Sequence, residues 1–386
     1  QLFNGQPLQN VVNVDPEFEY GSCQNRLSVI NTPAGLFYAS QNQGKVFSFG
    51  QGIQDISKSG MKWWFSQYSP YAILEDFPDL DPIVLDNTII GVGLQTTYDN
   101  INEILYFCKK DYKLKPEFKG KFKAGAQNKL ISTEYAGLII NLGDPTYFDN
   151  VSWTVSYDPK AKAFISFHDW HPDLVMASKT YYMTVKGNTI WKHNLVCNSY
   201  CNYYGVDYPF EIEYVQNQGQ TVTTTRSVEY ILECYKYSPN CLDYHHLLDE
   251  NFDRAIVYNT EQISGDLILN LSPKNNPYLI NNYPLVNTSD IDILFSKEEQ
   301  KYRFNQFWDI TNDRGEFTGT FVPMWTTEAN GYIRNINTSY VNYNKGATQR
   351  KKFRHYINKV ILKKLVSGSS KFLLKLSNNK LLASFR

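Results

Sequence analysis

The 386-residue chain is predicted to be a mainly β protein, and three features of the sequence support this prediction. Aromatic residues make up 15% of the chain, with 29 tyrosines and 23 phenylalanines, and such side chains favour pleated, half-buried sheets. Stretches such as PFEIEYV and SVEYILECYKY alternate with the period of β-strands. Three segments of the first half also end in closely similar aromatic strands.

These three segments form a repeat of strand, short polar turn and strand. The copies GLFYASQNQGKVFSF, TTYDNINEILYF and VSYDPKAKAFISF end at Phe49, Phe107 and Phe167, with spacings of 58 and 60 residues. The last two share a Tyr-Asp pair before the final strand. Such a period is close to the length of a four-stranded propeller blade. We therefore expect three partial β-propeller blades in residues 1-195. A propeller needs roughly four to eight blades, so polypeptide outside this range must complete it.

Residues 196-344 are predicted to form a second β-rich, platform-like domain with a few helices. DLILNLS and GEFTGTFVPMW have strand character, as do the alternating stretches named above. SKEEQKYRFNQFWDI is the predicted helix, because Ser296 and Glu299 have capping-box spacing.

The net charge of zero conceals an uneven distribution. From Lys345 to Arg386 there are twelve Lys or Arg and no Asp or Glu, so the rest of the chain has twelve more acids than bases. Within this segment, RKKFRHYINKVILKKLV is predicted to form an amphipathic helix and KFLLKLSNNKLLASF a hairpin. Because many apolar residues separate the charges, residues 345-386 are expected to be a basic assembly tail that docks on another subunit. Proximity to nucleic acid is the alternative, although no stacking platform or DNA-reading motif accompanies the lysines.

No apolar run approaches 18 residues, so the sequence predicts no membrane-spanning segment. The chain begins with Gln1 rather than Met. We therefore expect a missing N-terminal portion of the same gene product to be one of its partners.

The stretch SFHDWHPD is a candidate metal or acid–base site. His168 and His171 flank Asp169, and histidine with carboxylate can bind zinc or transfer protons near neutral pH. The stretch follows the third aromatic strand, in a turn that Pro172 helps to end. It lacks the further ligands of a catalytic metal site. We predict a structural role, with Trp170 packing and the imidazoles capping backbone groups, and metal binding or catalysis as the alternative.

The six cysteines are too sparse for a disulfide scaffold. Four of them cluster in the sequence near three histidines: Cys197, Cys201, Cys234 and Cys241, with His193, His245 and His246. Their spacings are loose for zinc, so free thiols in a reduced compartment are predicted and a structural zinc site is the alternative.

The usual enzyme signatures are missing from the sequence, namely a Gly-rich phosphate loop, G-x-S-x-G, H-E-x-x-H and an EF-hand loop. Carboxylate pairs such as Asp79 with Asp81, or Glu211 with Glu213, are predicted to be solvated surface pairs. The sequence therefore predicts that the protein is not an enzyme and has no catalytic residues, cofactor or metal site.

Several phrases resemble a known family. GLFYASQNQGKVFSF, IQDISKSGMKWWF and SWTVSYDPKAKAFISFHDWHPD with GNTIWKHN are similar to large tail proteins of short-tailed bacteriophages, especially the muzzle, nozzle or stabilisation proteins of crAss-like phages of gut Bacteroidetes. The resemblance covers Asn25 to Asn194. It implies a virion tail protein in a homo-oligomeric ring, a hexamer, below the portal and adaptor rings.

The same resemblance implies a distal channel that retains and ejects genomic DNA, contacts with the adaptor ring and tail fibres, proteolytic maturation, and no catalytic residues. The acidic excess outside the tail permits a lumen along which DNA slides without sequence-specific recognition, whereas a strongly basic lumen would hold it.

Two other functions are compatible with the same sequence. A carbohydrate-binding or glycan-cleaving propeller could stack sugar rings on Trp63, Trp64, Trp170 and Trp191, and cleavage would need two carboxylates about 5 to 10 Å apart. A regulatory interaction propeller in a cell would be monomeric or hetero-oligomeric.

Overall fold

A computed structural model divides the chain into two compact units, with the boundary after Asn194. The fold is mainly β, in agreement with the composition. The structure describes residues 23–50, 52–177, 181–194, 200–225, 227–238, 243–248, 250–264, 267–269, 294–298, 300–305, 353–365, 370–376 and 382–384. In these ranges, no helix has the length and apolarity needed to cross a lipid bilayer.

The first unit consists of antiparallel strands and two short α-helices. Its strands are β1 (Ile30–Thr32), β2 (Gly35–Ser40), β3 (Lys45–Phe49), β4 (Ile53–Asp55), β5 (Gly93–Asp99), β6 (Ile104–Lys110), β7 (Tyr112–Leu114), β8 (Phe122–Ala124), β9 (Lys129–Ser132), β10 (Ile139–Asn141), β11 (Phe148–Asn150), β12 (Trp153–Asp158), β13 (Ala163–His168), β14 (Leu174–Ala177), β15 (Tyr182–Lys186) and β16 (Thr189–Lys192). The helices are α1 (Lys62–Tyr68) and α2 (Ile73–Asp76), with 3₁₀ turns at Arg26–Ser28, Ile56–Lys58, Pro82–Val84 and Pro116–Phe118.

The three repeat copies form the hairpins β2–β3, β5–β6 and β12–β13, which confirms the predicted strand–turn–strand units. The last residue of each turn is left-handed, with φ of 58° at Gly44, 59° at Glu103 and 53° at Lys162. Asp99 and Asp158 each begin a turn, and each side chain accepts hydrogen bonds from two backbone N–H groups of that turn. The recurring Tyr-Asp pair therefore marks the same turn chemistry twice.

The pairing of these hairpins shows that the prediction of one blade per repeat copy is wrong. β12 pairs with β6, so the second and third copies share one four-stranded sheet, β5-β6-β12-β13, which we call the central sheet. The first copy lies in the first sheet, β1 to β4, and β14 to β16 form a three-stranded third sheet. Both β1 and β14 contact β5. The sequence period could not reveal that β7 to β11 are inserted between the two halves of the central sheet.

One face of the central sheet carries large apolar side chains, and the first sheet and α1 pack against it. Its buried residues include Leu105, Phe107, Trp153, Val155 and Tyr157. The ring of Phe37 in the first sheet lies 6.0 Å from Tyr157, and that of Trp64 in α1 lies 4.8 Å from Trp153. Aromatic contacts thus join the first sheet and α1 to the same side of the central sheet.

The inserted strands and α2 enclose a separate apolar cluster. Its buried members include Ile73, Phe77, Val84, Leu114, Leu130 and Phe148. The insertion therefore has a core of its own beside the sheet that it interrupts.

The second unit is built mainly from two antiparallel sheets. Its strands are β17 (Asn202–Tyr203), β18 (Val206–Asp207), β19 (Phe210–Thr225), β20 (Ser227–Tyr237), β21 (Tyr244–His246), β22 (Arg254–Tyr258), β23 (Leu267–Ile268), β24 (Leu294–Glu298), β25 (Lys301–Asn305), β26 (Phe353–Lys364), β27 (Ser370–Leu376) and β28 (Leu382–Ser384). One sheet has the order β19-β26-β22-β23, and the other has β24-β25-β20-β27-β28 with β21 beside β20. Buried residues of both sheets form one core, and the rings of Phe210 and Phe372 meet across it at 5.3 Å.

The helix predicted around Ser296 is wrong, because Ser296 lies in the hairpin β24–β25. On β25, Tyr302 and Phe304 are buried while Lys301 and Arg303 are exposed, which is the period of a strand. Residues 306–310 of the predicted helix lie outside the described residues, as does GEFTGTFVPMW. The helices in the described ranges belong to the first unit, not to the second as predicted.

The amphipathic helix predicted in the basic segment is also wrong. Residues Phe353–Lys364 form β26, which pairs with β19 on one side and β22 on the other. Val360 and Leu362 are fully buried between these strands. Pairing with two distant strands overrides the local helical pattern. The predicted terminal hairpin is confirmed as β27–β28.

The described part of residues 345-386 is therefore not a separate assembly tail, because β26 and β27 belong to the two sheets of the second unit. Its lysines have acidic partners in that unit, at distances of 2.7 Å for Lys363–Glu211, 3.1 Å for Lys359–Glu213 and 2.6 Å for Lys364–Glu250. The uneven charge of the sequence thus reflects strand pairing within one unit, at least for these three lysines.

Candidate interaction surface

The third sheet is attached to the central sheet through a polar face. Gln95 is fully buried there, and its side-chain amide forms hydrogen bonds with the backbone at the start of β14. Its Nε2 donates to the Pro172 carbonyl at 3.3 Å, and its Oε1 accepts from the Val175 N–H at 3.0 Å. Lys110 adds an ion pair to Asp173 at 2.7 Å. A side chain therefore supplies hydrogen bonds where β14 meets the central sheet.

The histidines of SFHDWHPD lie in this contact between sheets. His168 Nε2 is 2.9 Å from Ser156 Oγ, and His171 Nδ1 is 3.3 Å from Thr154 Oγ1. Burial lowers the pKa of His168 to about 4. Burial and the nearby charge of Lys186 lower the pKa of His171 to about 3. Both imidazoles are therefore uncharged at neutral pH.

Trp170 is the centre of a ring cluster that these histidines join. It is buried, and its ring lies 5.4 Å from Tyr106 and 5.5 Å from His168. Tyr182 and His193 stack beside it, with centroids 4.6 Å apart and planes 14° apart. Burial lowers the pKa of His193 to about 4. The cluster packs the third sheet on the central sheet with neutral rings.

In the described ranges, no three His, Cys, Asp or Glu side chains are arranged to hold a metal ion. Asp169 is exposed, whereas His168 and His171 are half-buried. The two imidazoles contact side-chain hydroxyls and do not cap backbone groups as predicted.

The structure does not bring the described members of the Cys/His cluster together. Cys234 faces the core of the second unit, and burial raises the pKa of its thiol. His246 lies on β21 and pairs with Tyr235 of β20, whose side chain is on the face opposite Cys234. Cys201 is half-buried, His245 is exposed, and Cys197 and Cys241 lie outside the described residues.

Two of the four tryptophans that were candidates for stacking on sugars are buried and inaccessible to a ligand. Trp64 and Trp170 are each only 2% exposed and pack between sheets. Trp191 is half-buried on β16, and Trp63 is 59% exposed on α1. The four rings therefore do not form one sugar-binding surface.

The paired carboxylates also have structural partners. Asp81 accepts hydrogen bonds from the N–H groups of Ile83 and Gln127, and these bonds lower its pKa. Glu211 and Glu213 form ion pairs with lysines of β26. These carboxylates stabilise turns and strand pairs.

A buried ion pair that the sequence did not reveal holds α1 and α2 beside the central sheet. Lys109 Nζ lies 2.6 Å from Asp111 Oδ2, and both side chains are at most 2% exposed. The ammonium also donates to the carbonyls of Tyr68 and Pro70, and the carboxylate accepts from the Ala72 N–H. Such extensive pairing is what a buried charge requires, so we assign it a structural role.

The outer side of the third sheet presents apolar residues instead. We call it the outer face, and its apolar members are Leu174 and Met176 on β14, Met183 and Val185 on β15, and Ile190 on β16; Lys192 of β16, the cross-strand partner of Met183, lies on the same side. The first four are half-buried and Ile190 is 64% exposed. Among the described strands, β16 pairs only with β15, so it forms an edge. An apolar face next to an edge strand is suited to bind another β-sheet.

Sequence reasoning missed the outer face, although a signal was present. The segment LVMA of β14 is apolar on both sides, which is typical of a strand buried on both faces. Val175 faces the central sheet, while Leu174 and Met176 face outward.

Comparison with known proteins adds no family to these observations. No protein-family model and no curated protein matches the chain.

Proposed function

We propose that this protein is a structural, non-enzymatic subunit of a bacteriophage tail, in which copies form the muzzle or nozzle ring that retains and ejects the genome. The observation that carries the proposal is the outer face, an apolar sheet surface beside a strand edge. Burying such a surface against another polypeptide stabilises an assembly. The likeness of residues 25–194 to phage muzzle proteins supplies the kind of assembly.

The arrangement of the first unit supports the propeller part of this proposal. Two four-stranded sheets and one three-stranded sheet are neighbours, and β1 and β14 both contact β5. Three sheets fall short of the roughly four to eight blades of a propeller. In the proposed assembly, polypeptide outside residues 23–194 adds sheets next to the outer face.

The charge distribution supports passage of DNA rather than its capture. Lys359, Lys363 and Lys364 are paired with acids, so these cations are already neutralised within the subunit. Free lysines and arginines lining a channel would release counterions from DNA and slow it. We expect the ring to contact the adaptor ring and tail fibres and to let duplex DNA slide through.

Electron microscopy of the native assembly and of the virion tests this function. The expected result is a ring of six copies, at the distal end of a short tail, around a pore wide enough for duplex DNA. A stable monomer with an acidic pocket that cleaves a glycan would contradict the proposal.

A matched pair of variants tests the role of the outer face. Ile190→Lys places a charge in the proposed contact, whereas Ile139→Lys changes a similarly exposed isoleucine on β10, 56% exposed, in another sheet. We expect I190K to reduce the ring fraction in analytical ultracentrifugation and I139K to leave it unchanged. Equal assembly by both variants would show that the outer face is not part of the subunit interface.

The glycan-cleaving alternative has less support. Trp64 and Trp170 are buried, and the candidate carboxylates Asp81, Glu211 and Glu213 have backbone or lysine partners. No described observation favours a cleavage site.

A further inference from the structure

Strand β20 in the second unit has one face in the core and one in solvent. Val228, Tyr230, Leu232 and Cys234 are buried, so the alternate residues point outward. Tyr235 and Tyr237 lie on the outward side and pair with His246 and Tyr244 of β21. Partners in an antiparallel pair share a face, so these four rings occupy one surface, which we call the aromatic platform.

The rings of the aromatic platform contact one another. Tyr235 and His246 stack with centroids 5.1 Å apart and planes 25° apart. Tyr244 meets Tyr235 edge-on at 5.4 Å, and lies 6.0 Å from Tyr237. β27 pairs with β20 on the side opposite β21, so the platform lies on a sheet of at least three strands. Such rings keep little rotational freedom to lose on binding.

A carboxylate fixes one ring further. The Tyr235 hydroxyl donates to Glu233 Oε2 at 2.8 Å, and this hydrogen bond raises the pKa of Tyr235 to about 12. On the other side, Lys371 of β27 is the cross-strand partner of Tyr235. Glu233 and Lys371 therefore both border the platform.

Two of the four rings of the platform are exposed to water. Tyr244 is 61% exposed and His246 is also exposed, whereas Tyr235 and Tyr237 are half-buried. Clustered tyrosines with polar hydroxyl tips are typical of surfaces that bind another molecule.

We infer that the aromatic platform binds an uncharged sugar ring of a polysaccharide, through stacking on the tyrosines and hydrogen bonds to their hydroxyls. A pyranose has one C–H face that packs on an aromatic ring and hydroxyl groups around its edge, which match the hydroxyls, Glu233 and Lys371. Single-stranded nucleic acid also stacks on aromatic rings, but its sites track the backbone with a positive groove. Here the carboxylate of Glu233 is hydrogen-bonded to the Tyr235 hydroxyl and would repel a phosphate backbone, so the border favours an uncharged ligand.

The aromatic platform belongs to the second unit, whereas the outer face belongs to the first. In a tail protein the platform would contribute contact with a bacterial surface polysaccharide. It also differs from the tryptophan surface expected from the sequence.

The test uses the full chain and a panel of neutral gluco-, galacto- and manno-oligosaccharides, with acidic oligosaccharides and a single-stranded oligonucleotide as separate arms. Saturation-transfer NMR reports contact, and calorimetry reports affinity. We expect at least one neutral oligosaccharide to bind and Tyr244→Ala to weaken that binding about tenfold or more. Tyr135→Ala is the matched control, because Tyr135 is 66% exposed in the first unit.

Tyr235→Phe keeps the ring but removes the hydroxyl, so it should weaken binding less than Y244A. Unchanged thermal unfolding of the Tyr244 variant shows that the fold is intact. The inference is overturned if no neutral sugar binds, if Y244A binds as tightly as the original chain, or if the oligonucleotide is the ligand that depends on Tyr244.

Discussion

Removing the residues after Asn344 should unfold the second unit. The deletion takes away β26, which lies between β19 and β22, and β27, which pairs with β20. It also removes five side chains that are at most 1% exposed in the core, namely Phe353, Val360, Leu362, Phe372 and Leu374. Burying one such side chain contributes about 1.5–3 kcal/mol, so their loss costs about 8–15 kcal/mol. A whole domain is stable by only about 5–15 kcal/mol.

Limited proteolysis and circular dichroism measure the outcome. We expect the shortened chain to lose protease protection from about residue 200 onward, while the unit ending at Asn194 stays protected, because the two form separate compact units. A full-length chain treated in parallel is the control. A second unit that stays protected and keeps its strand signal after the deletion would refute the assignment of β26 and β27 to its core.

Three further predictions concern the first unit. His168 and His171 have pKa values of about 4 and about 3, below the ordinary 6.5, so the unfolded chain binds more protons, and stability should fall as pH decreases from about 6.5 to about 3. We expect His168 to contribute about 2 kcal/mol to the free energy of unfolding at neutral pH, after allowance for its partial exposure. His168→Gln should weaken the pH dependence of this free energy in urea unfolding. An unchanged pH dependence would contradict the prediction. Lys109→Met leaves Asp111 buried without its cation and should lower the free energy of unfolding by about 3–5 kcal/mol. Adding Asp111→Leu should recover part of this stability. Thermal unfolding of the single and double variants tests both expectations. Gly44→Ala should destabilise the first unit by about 1 kcal/mol or more. At this position φ is 58°, and the added Cβ would lie 2.5 Å from the Ser66 Cα. A stability within about 0.3 kcal/mol of the original would show that the clash does not occur.

Local chemistry made part of the fold predictable. Asp99 and Asp158 begin turns whose backbone N–H groups they bind, and the flanking aromatic residues alternate, so each hairpin follows from its own short sequence. The strands β19 and β20 and the final hairpin were predictable for the same reason. In each case the information lies within about a dozen neighbouring residues.

The histidines of SFHDWHPD were predictable only as candidates. Their type and spacing allow metal binding. The sequence favoured a structural role only because the stretch lacks the further ligands of a metal site. The contacts that explain their role are His168 with Ser156 and His171 with Thr154, and they come from β12 rather than from the stretch itself. Burial between two sheets, which lowers both pKa values, is likewise not readable from the stretch.

The sequence by itself determined the β class and the three hairpins, because alternation and turn chemistry act between near neighbours. Only the tertiary structure decided that two hairpins share the central sheet, that the lysine-rich segment is the strand β26, and that one side of β14 faces outward. These features depend on contacts between distant residues. In β26, for example, Lys363 meets Glu211, and Val360 packs in a core formed by both sheets. The free energy of such contacts outweighs the local helical pattern, and it belongs to no single segment of the chain.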